Sequence, residues 1–462
     1  MTIRFSKTLF IFRRDLRLED NTGLIFALKN SETVIPCFIF SPAQIMPHPY
    51  RSVRCLQFMI ESLEDLEEQL KAKQAKLYRF FDEPEKVVEE CIEKYAVDAV
   101  VFNRDYTPYS LERDQKIAAV CSKHEVALHV FDDALLFPPE ACRKSDGNPY
   151  VVFTPFFRNA SRVPVDMPLA NALHNYCRDS IGAAQGEELY RTLLPERRTQ
   201  VKGGRKCALE ILDSLKNMGD YSHLRNFPAI QGTTHLSAHL KFTTCSPREV
   251  YYSIVKQCGA HADLIRSLYW RDFFTHIAFF FPFVFKGAFH EKYNSLPWSR
   301  DVQAFERWCQ GCTGFPIVDA GMRELLATGY MHNRVRMLVA SFLVKDLHID
   351  WRWGEKFFAQ NLIDYDPALN NGNWQWSAST GCDAQPYFRI FNPWTQQAKF
   401  DPDCIYIKQW IPELALLNNR SILHWDSEKL SEVGFTYSRP MVNHTKESKV
   451  ALHMYRSISV FF

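Results

Sequence analysis

Residues 364–400 read DYDPALNNGNWQWSASTGCDAQPYFRIFNPWTQQAKF, a run that sets Trp374, Trp376, Tyr387, Phe388, Phe391 and Trp394 among Asn, Gly, Ser, Gln and Pro. Its charges are Asp364, Asp366, Asp383, Arg389 and Lys399. Rings at irregular spacing between turn formers fit neither a helical stripe nor a strand alternation, so the run reads as the lining of a pocket. Flat rings beside amides and hydroxyls suit a planar polar ligand, because the rings stack on it and the polar groups satisfy its heteroatoms. A second stretch, 221–242, reads YSHLRNFPAIQGTTHLSAHLKF and gathers the hydroxyls of Thr233, Thr234 and Ser237 where a helix could begin. Unsatisfied N–H groups and the helix dipole make such a start hospitable to a diphosphate, although Ser and Thr are also ordinary caps. The C-x-x-C at Cys309 and Cys312 has no second pair and no His cluster beside it, so no metal site is expected.

Three long motifs, NNGNWQWSASTGCDAQPYFRIFNP in the stretch above, GFPIVDAGMREL at 314–325 and MHNRVRMLVASFLVKDL at 331–347, resemble the flavin-binding domain of the photolyase and cryptochrome family. The similarity begins at FRRDLRLEDN, residues 12–21, runs almost to the end, and is nearest to the class I cyclobutane pyrimidine dimer photolyases. The resemblance implies FAD, active in its reduced anionic form, with Tyr221, Thr233, Thr234, His235, Leu236, Ser237, Arg271, Asp364, Tyr365 and Asp366 around it. Asn370 falls where the family places a side chain facing flavin N5; plant cryptochromes carry Asp there and animal cryptochromes often Cys. An amide cannot supply a proton as an acid can, so this residue favours repair over signalling. Trp374, Trp351 and Trp298 match the family's electron relay from flavin to surface.

The same resemblance implies a DNA lesion site. A damaged base pair must leave the stack and enter a pocket of rings and polar groups. Trp270 and Trp376 match the indoles that flank the dimer, and Asn333, Arg334 and Met337 match lesion and phosphate contacts on one helix. Arg225 and Gln396 match further DNA contacts. The (6-4) photolyases use two His at the positions of Asn333 and Met337, which disfavours that lesion here. One departure stands out: the family's dimer-binding Glu lies three residues before the Trp, and here that place is Ser267. Losing one partner in a buried site costs about 1–3 kcal/mol, enough to weaken repair without abolishing it.

These residues need elements to position them. At 462 residues the chain is long enough for two domains. The first third alternates short β-rich runs at 8–12, 34–40, 76–81, 99–103 and 127–131 with amphipathic helices, including one on which Leu56, Met59, Leu63, Leu66 and Leu70 share a face. That βαβ rhythm predicts a doubly wound parallel sheet over 1–132. Ligands of such sheets lie at the C-terminal strand ends, which would carry Arg13, Arg14, Asp15, Arg17 and 103–109; the alternative is a loop of solvated charges. No G-x-G-x-x-G follows the first strand, which disfavours a dinucleotide cradle. By resemblance this is an antenna-pigment domain, with folate or deazaflavin left open, because Leu111 and Glu112 stand near where folate binders carry an Asn-Glu pair. The Pro- and Gly-punctuated segment 133–205 reads as an interdomain linker. Helices are expected over 208–216, 247–257, 262–274, 302–310, 319–326, 332–347 and 354–361, making 206–462 an almost all-α FAD-binding domain.

A formal net charge of +2 and a pI near 7.9 leave no polycationic surface, so nucleic acid must be met by a local patch. Thirteen scattered Cys, an odd number, point to a reducing compartment. The most apolar run, 273–285, is broken by Thr275, His276 and Pro282 and is too short for a membrane helix. The expectation is therefore a cytoplasmic protein, nucleoid-associated if bacterial, monomeric and without an obligate protein partner, acting on UV-damaged DNA. It would be a light-driven dimer-splitting enzyme, with a cryptochrome-type blue-light sensor as the alternative.

Overall fold

The computed structural model describes residues 4–194, 201–218, 220–260, 262–426 and 437–459. Packing divides the chain into two units: 1–219 with 234–282 and 363–366, and 220–233 with 283–362 and 367–462.

The first unit is built on five parallel strands, β1 (Phe5–Phe12), β2 (Ser31–Phe40), β3 (Tyr78–Phe81), β4 (Ala99–Asn103) and β5 (Ala127–Phe131), in the order β3-β2-β1-β4-β5. Successive side chains of a strand point to opposite faces, and the core follows that period of two. Phe10, Phe12, Phe38 and Phe40 join one buried cluster with Leu63, Leu66 and Leu70 of helix Val53–Ala72. Leu9, Ile11, Ile35, Cys37 and Ile39 join another with Val87, Val88 and Cys91 of helix Pro84–Tyr95 and with Ile117 and Cys121 of helix Pro108–Lys123. Both faces of β1 to β4 are covered, which is why those strands read as continuous apolar runs, while no residue of the edge strand β5 is buried.

The strand order reverses between β1 and β4, and the charges of 13–17 lie there, but they are not solvated. Arg17 is fully buried and pairs with Asp133 at 2.5 Å, and Arg13 pairs with Asp114 at 2.8 Å. The segment expected to be a linker carries two helices, Phe153–Ala160 and Ala184–Leu193. Its turn formers mask a short amphipathic face: Phe153 and Phe156 are buried and meet Phe273 of helix Asp263–Phe280.

The second unit is helical. Asp301 caps helix Val302–Cys309 by accepting from the Ala304 N–H at 2.9 Å, and His332 caps helix Asn333–Ser341. The single helix expected over 332–347 is instead that helix followed by a π-helical turn, Phe342–Asp346. The C-terminal helix His444–Ser459 is tied to this turn and the residues after it by pairs His444 to Asp346 at 2.5 Å and His348 to Glu447 at 2.9 Å.

The stretch 364–400 differs from the irregular pocket lining that its sequence suggests. It was expected to follow no helical period, yet Pro367–Ser377 and Pro393–Phe400 are helices. Asn371, Trp374, Gln375 and Ala378 are buried at the i, i+3, i+4, i+7 spacing of one helical face, but two of the four are amides. Those amides are satisfied inside the unit. Asn371 Nδ2 donates to the Val284 carbonyl at 3.0 Å, and Gln375 donates to Val284 and accepts from the Phe289 N–H at 2.8 Å.

Candidate cofactor and lesion-binding residues

In the first unit, helix Asp263–Phe280 positions Ser267, Trp270 and Arg271. Trp270, half-buried, lies flat on Phe153 with ring centroids 3.5 Å apart and planes 7° from parallel. Such a stack fixes the plane of the indole. Ser267 precedes Trp270 by three residues and so shares its face of the helix. The Arg266 guanidinium stands 5.2 Å from the Phe153 centroid and 5.1 Å from that of Phe157. Arg271 points inward instead. It is 8 % exposed, donates to the carbonyls of Ala134 at 2.5 Å and Leu240 at 3.2 Å, and pairs with Asp272.

Asp364, Tyr365 and Asp366 follow one another in the same unit, and Asp366 is buried. One of its oxygens accepts from Arg14 at 2.7 Å and lies 3.8 Å from Lys241 Nζ. Burial opposes the Arg14 charge, but Asp105 and Asp366 outweigh it and hold the guanidinium above its ordinary value. Burial, followed by the Arg14 charge, lowers Lys241. Thr234 Oγ1 accepts from the Leu236 N–H at 3.4 Å, and His235 takes a left-handed φ of 54°. Ser237 starts a helix of only five residues, Ser237–Lys241, capped by Leu236 and not by a hydroxyl.

In the second unit, Asn370 and Trp374 stand four residues apart on helix Pro367–Ser377 and face helix Trp351–Asn361. The approach is close at Gly354, where a Cβ would lie 2.2 Å from the end of the Trp374 ring and 2.6 Å from Leu343. Beside Gly354, Glu355 accepts two hydrogen bonds from Asn370 Nδ2, on its main-chain carbonyl at 2.9 Å and on its carboxyl Oε1 at 3.0 Å. Trp374 meets Phe358 at 5.0 Å and Trp308 at 6.2 Å, both edge-on. Trp351 is buried and Trp298 is half-buried, its ring 6.4 Å from that of Tyr455. No ring-to-ring contact joins Trp374, Trp351 and Trp298 to one another among the described residues.

Asn333 is exposed, and Arg334 and Met337 are half-buried on the same helix. Arg334 donates to Asn226 at 2.5 Å and lies 4.4 Å from the Phe400 centroid, on the helix that carries Gln396. Burial, and then the like charge of Arg225, lowers the Arg334 guanidinium below its ordinary value. Arg225 is exposed, 5.6 Å from the Tyr221 centroid. Two mutually repelling cations with one face to solvent suit an anion such as a phosphate. Tyr221, Arg225 and Thr233 belong to the short segment 220–233 of this unit. Trp376 is half-buried one residue past the Trp374 face.

Three residues were not anticipated: Phe153, Glu355 and Trp308. Phe153 lay in a Phe-rich run, 153–157, inside the supposed linker, and that run was the available signal. A surface group of Glu89, Glu93 and His124 has metal-ligand types, but Glu89 is already paired with Lys123 at 2.6 Å. No helix among the described residues is long and apolar enough to cross a membrane.

Residues 264–457 match the family model described as the FAD binding domain of DNA photolyase, and residues 8–171 match that of DNA photolyase. The deoxyribodipyrimidine photo-lyase of Alkalihalophilus pseudofirmus is 35% identical over 470 residues, covering 96% of this chain and 97% of its own. The crystal structure of the archaeal photolyase from Sulfolobus tokodaii, described with two FAD molecules, aligns at a TM-score of 0.87 with 41% identity, over 98% of this chain and 100% of its own. That of a class III photolyase from Agrobacterium tumefaciens aligns at 0.90 with 32% identity, over 99% of both chains.

Proposed function

The chain belongs to the DNA photolyase family and is a light-driven DNA-repair flavoenzyme, and we propose that its substrate is a cyclobutane pyrimidine dimer in UV-damaged DNA, held against Trp270 and Trp376. The observation that carries the substrate reading is Trp270: a half-buried indole, locked parallel to Phe153 at 3.5 Å, on a helical face shared with the hydroxyl of Ser267. A rigid π-face beside a short polar group is what a flipped pyrimidine pair stacks on and is read by.

FAD in its reduced anionic form supplies, when bound and excited, the electron that opens the cyclobutane ring and takes it back. The residues proposed to hold it are Tyr221, Thr233, Thr234, His235, Leu236, Ser237, Arg271, Asp364, Tyr365, Asp366 and Asn370. The fit rests on Asn370, which is 8 % exposed and whose Oδ1 makes no hydrogen bond within the described residues, leaving an acceptor for a ligand donor. Asp366, with Arg14 on one oxygen, is fixed in place to accept from a ribose hydroxyl. Arg225, Asn333, Arg334, Met337 and Gln396 are proposed to position the DNA strand, and Trp374, Trp351 and Trp298 to feed electrons inward. By sequence order, 1–132 takes the antenna role and 206–462 carries flavin and lesion. A second chromophore, folate or deazaflavin, is part of the proposal, and the second FAD of the Sulfolobus protein, named a light-harvesting cofactor, adds a flavin to those candidates. The proposed setting is the cytoplasm or nucleoid, with the enzyme as a monomer. Asn370 in place of an acid supports repair over a sensor role.

Illumination of the purified, reduced protein with an oligonucleotide bearing one thymine dimer tests this reading. Restored thymines are expected; cofactor photoreduction with the dimer left intact would overturn it in favour of a sensor.

A further inference from the structure

The C-terminal helix His444–Ser459 is held by different means at its two ends. Its last turns are apolar: Met454, Tyr455 and Ile458 are buried with Leu296 and pack against Tyr293, Trp298 and Tyr387. Over 444–450, by contrast, His444 alone is buried, and two polar pairs anchor the segment. His444 Nδ1 lies 2.5 Å from Asp346 Oδ1, and His348 Nε2 lies 2.9 Å from Glu447 Oε2.

The two pairs are not equivalent. His348 and Glu447 keep 15 % and 19 % of their side-chain surface in solvent, so water shares their charges. Asp346 is 1 % exposed, its Oδ2 has no hydrogen-bond partner among the described residues, and its Oδ1 faces His444. An enclosed carboxylate needs a compensating charge, and losing that partner is far more destabilising than losing one at the surface. Burial pushes Asp346 above the ordinary carboxylate range, against the pull of His444 and then of His348.

We propose that 444–450 is a proton-gated latch, docked while His444 carries the charge that offsets Asp346 and released when that proton leaves. Both members of the pair act in one direction. A carboxyl group raised on folding contributes stability that is lost as pH rises, and a His–carboxylate pair is ionic only while the imidazole keeps its proton. Glu447 adds a like charge to Asp346 from the helix itself, and Arg439 and Asp426 border the cavity that His444 also lines. On helix Trp351–Asn361, Arg352 is committed to Asp350 at 2.7 Å, while Glu291 and Lys292 belong to the turn Glu291–Ser295 that packs on the C-terminal helix. Lys345 works the other way. It is buried, donates to Ser379 Oγ at 3.0 Å and stands 3.6 Å from the Tyr455 centroid, and burial holds it well below its ordinary value. A base depressed on folding contributes more stability as pH rises, so the far half of the helix stays docked.

Amide hydrogen exchange of the full chain between about pH 6 and pH 8, corrected for the intrinsic rate at each pH, reads the latch. Protection over 444–450 is expected to fall about tenfold across that range while that of 451–458 holds. His444→Gln keeps a donor for Asp346 but no charge, and is expected to leave 444–450 less protected than the native protein at pH 6, with no further fall. Asp346→Asn removes the charge that has to be offset, and is expected to leave the segment more protected than the native protein at pH 8. Glu447→Gln should retain the native pH response. A flat response in the native protein, a loss of protection in Asp346→Asn equal to that in His444→Gln, or a response abolished by Glu447→Gln overturns the latch. Should either variant of the buried pair fail to fold, the other decides: a native pH response in it overturns the latch.

Discussion

At the position proposed to meet the lesion, Ser267 carries one hydroxyl where the related motif carries a carboxyl group, and a hydroxyl reaches less far and donates or accepts only singly. Its neighbour Trp270 is held by Phe153 irrespective of that change, so the stacking surface survives while the polar contact is thinned. Glu at 267 is therefore expected to tighten binding of dimer-containing DNA by about 1 kcal/mol and leave undamaged DNA unaffected. Competitive binding of the two oligonucleotides to Ser267→Glu and native protein checks this; equal affinities would remove Ser267 from the lesion contacts. Residues of this kind were legible in the sequence because the resemblance carries each onto a matching position. Phe153 and Glu355 were not, since what they do depends on which ring or amide lies opposite, and a single chain of letters carries no such pairing.

Helix Asp263–Phe280 shows how an element that presents a site can carry its own pH response. Asp272, fully enclosed, has its carboxyl pushed up to about 6 by burial, against the opposing pull of Arg271 and the Leu136 N–H it accepts at 2.9 Å. A carboxyl group whose folded value lies above its unfolded value of about 3.9 contributes stability that is whole below the lower value and is lost as pH rises through the upper one. The two-unit gap corresponds to something on the order of 2–3 kcal/mol. Asp272→Asn, which keeps an acceptor for Leu136, is expected to flatten the loss of stability between about pH 4 and pH 6. Thermal denaturation of both proteins across that window gives the answer, and parallel curves would show that Asp272 is not the titrating group. The element-level reading of the sequence succeeded where burial was apolar, as in β1 to β4 and helix Pro247–Cys258. It failed at Pro367–Ser377, because Asn371 and Gln375 fill core positions that a hydrophobic period cannot register.

At the level of the whole molecule, a net charge of +2 over 462 residues means that DNA affinity must come from a few placed cations. Each phosphate neutralised by such a cation contributes about 0.9 to the salt slope of binding on duplex DNA. Arg225→Gln is expected to reduce that slope by about 0.9 and to weaken damaged and undamaged DNA alike, as a backbone contact should. Fluorescence anisotropy over a salt series reads the slope; a loss confined to damaged DNA would make Arg225 a lesion contact instead. The doubly wound sheet and the helical remainder were both legible from residue order, because each rests on local periodicity. The interleaving of segments was not, for it depends on which distant stretches share a core.

That interleaving bears on how such a protein can diverge. One apolar face of the sheet, with Phe10 and Val34, and Phe58 of the helix Val53–Ala72 that packs on it, is completed by Ala238, Phe242 and Ile363, which are encoded far downstream. A cross-over that joined the front of this gene to the back of a relative's would hand the sheet three strangers as neighbours. Inheritance of the fold is thus tied to length: changes at the start of the coding sequence are constrained by letters several hundred positions later, and modular exchange gives way to slow co-variation.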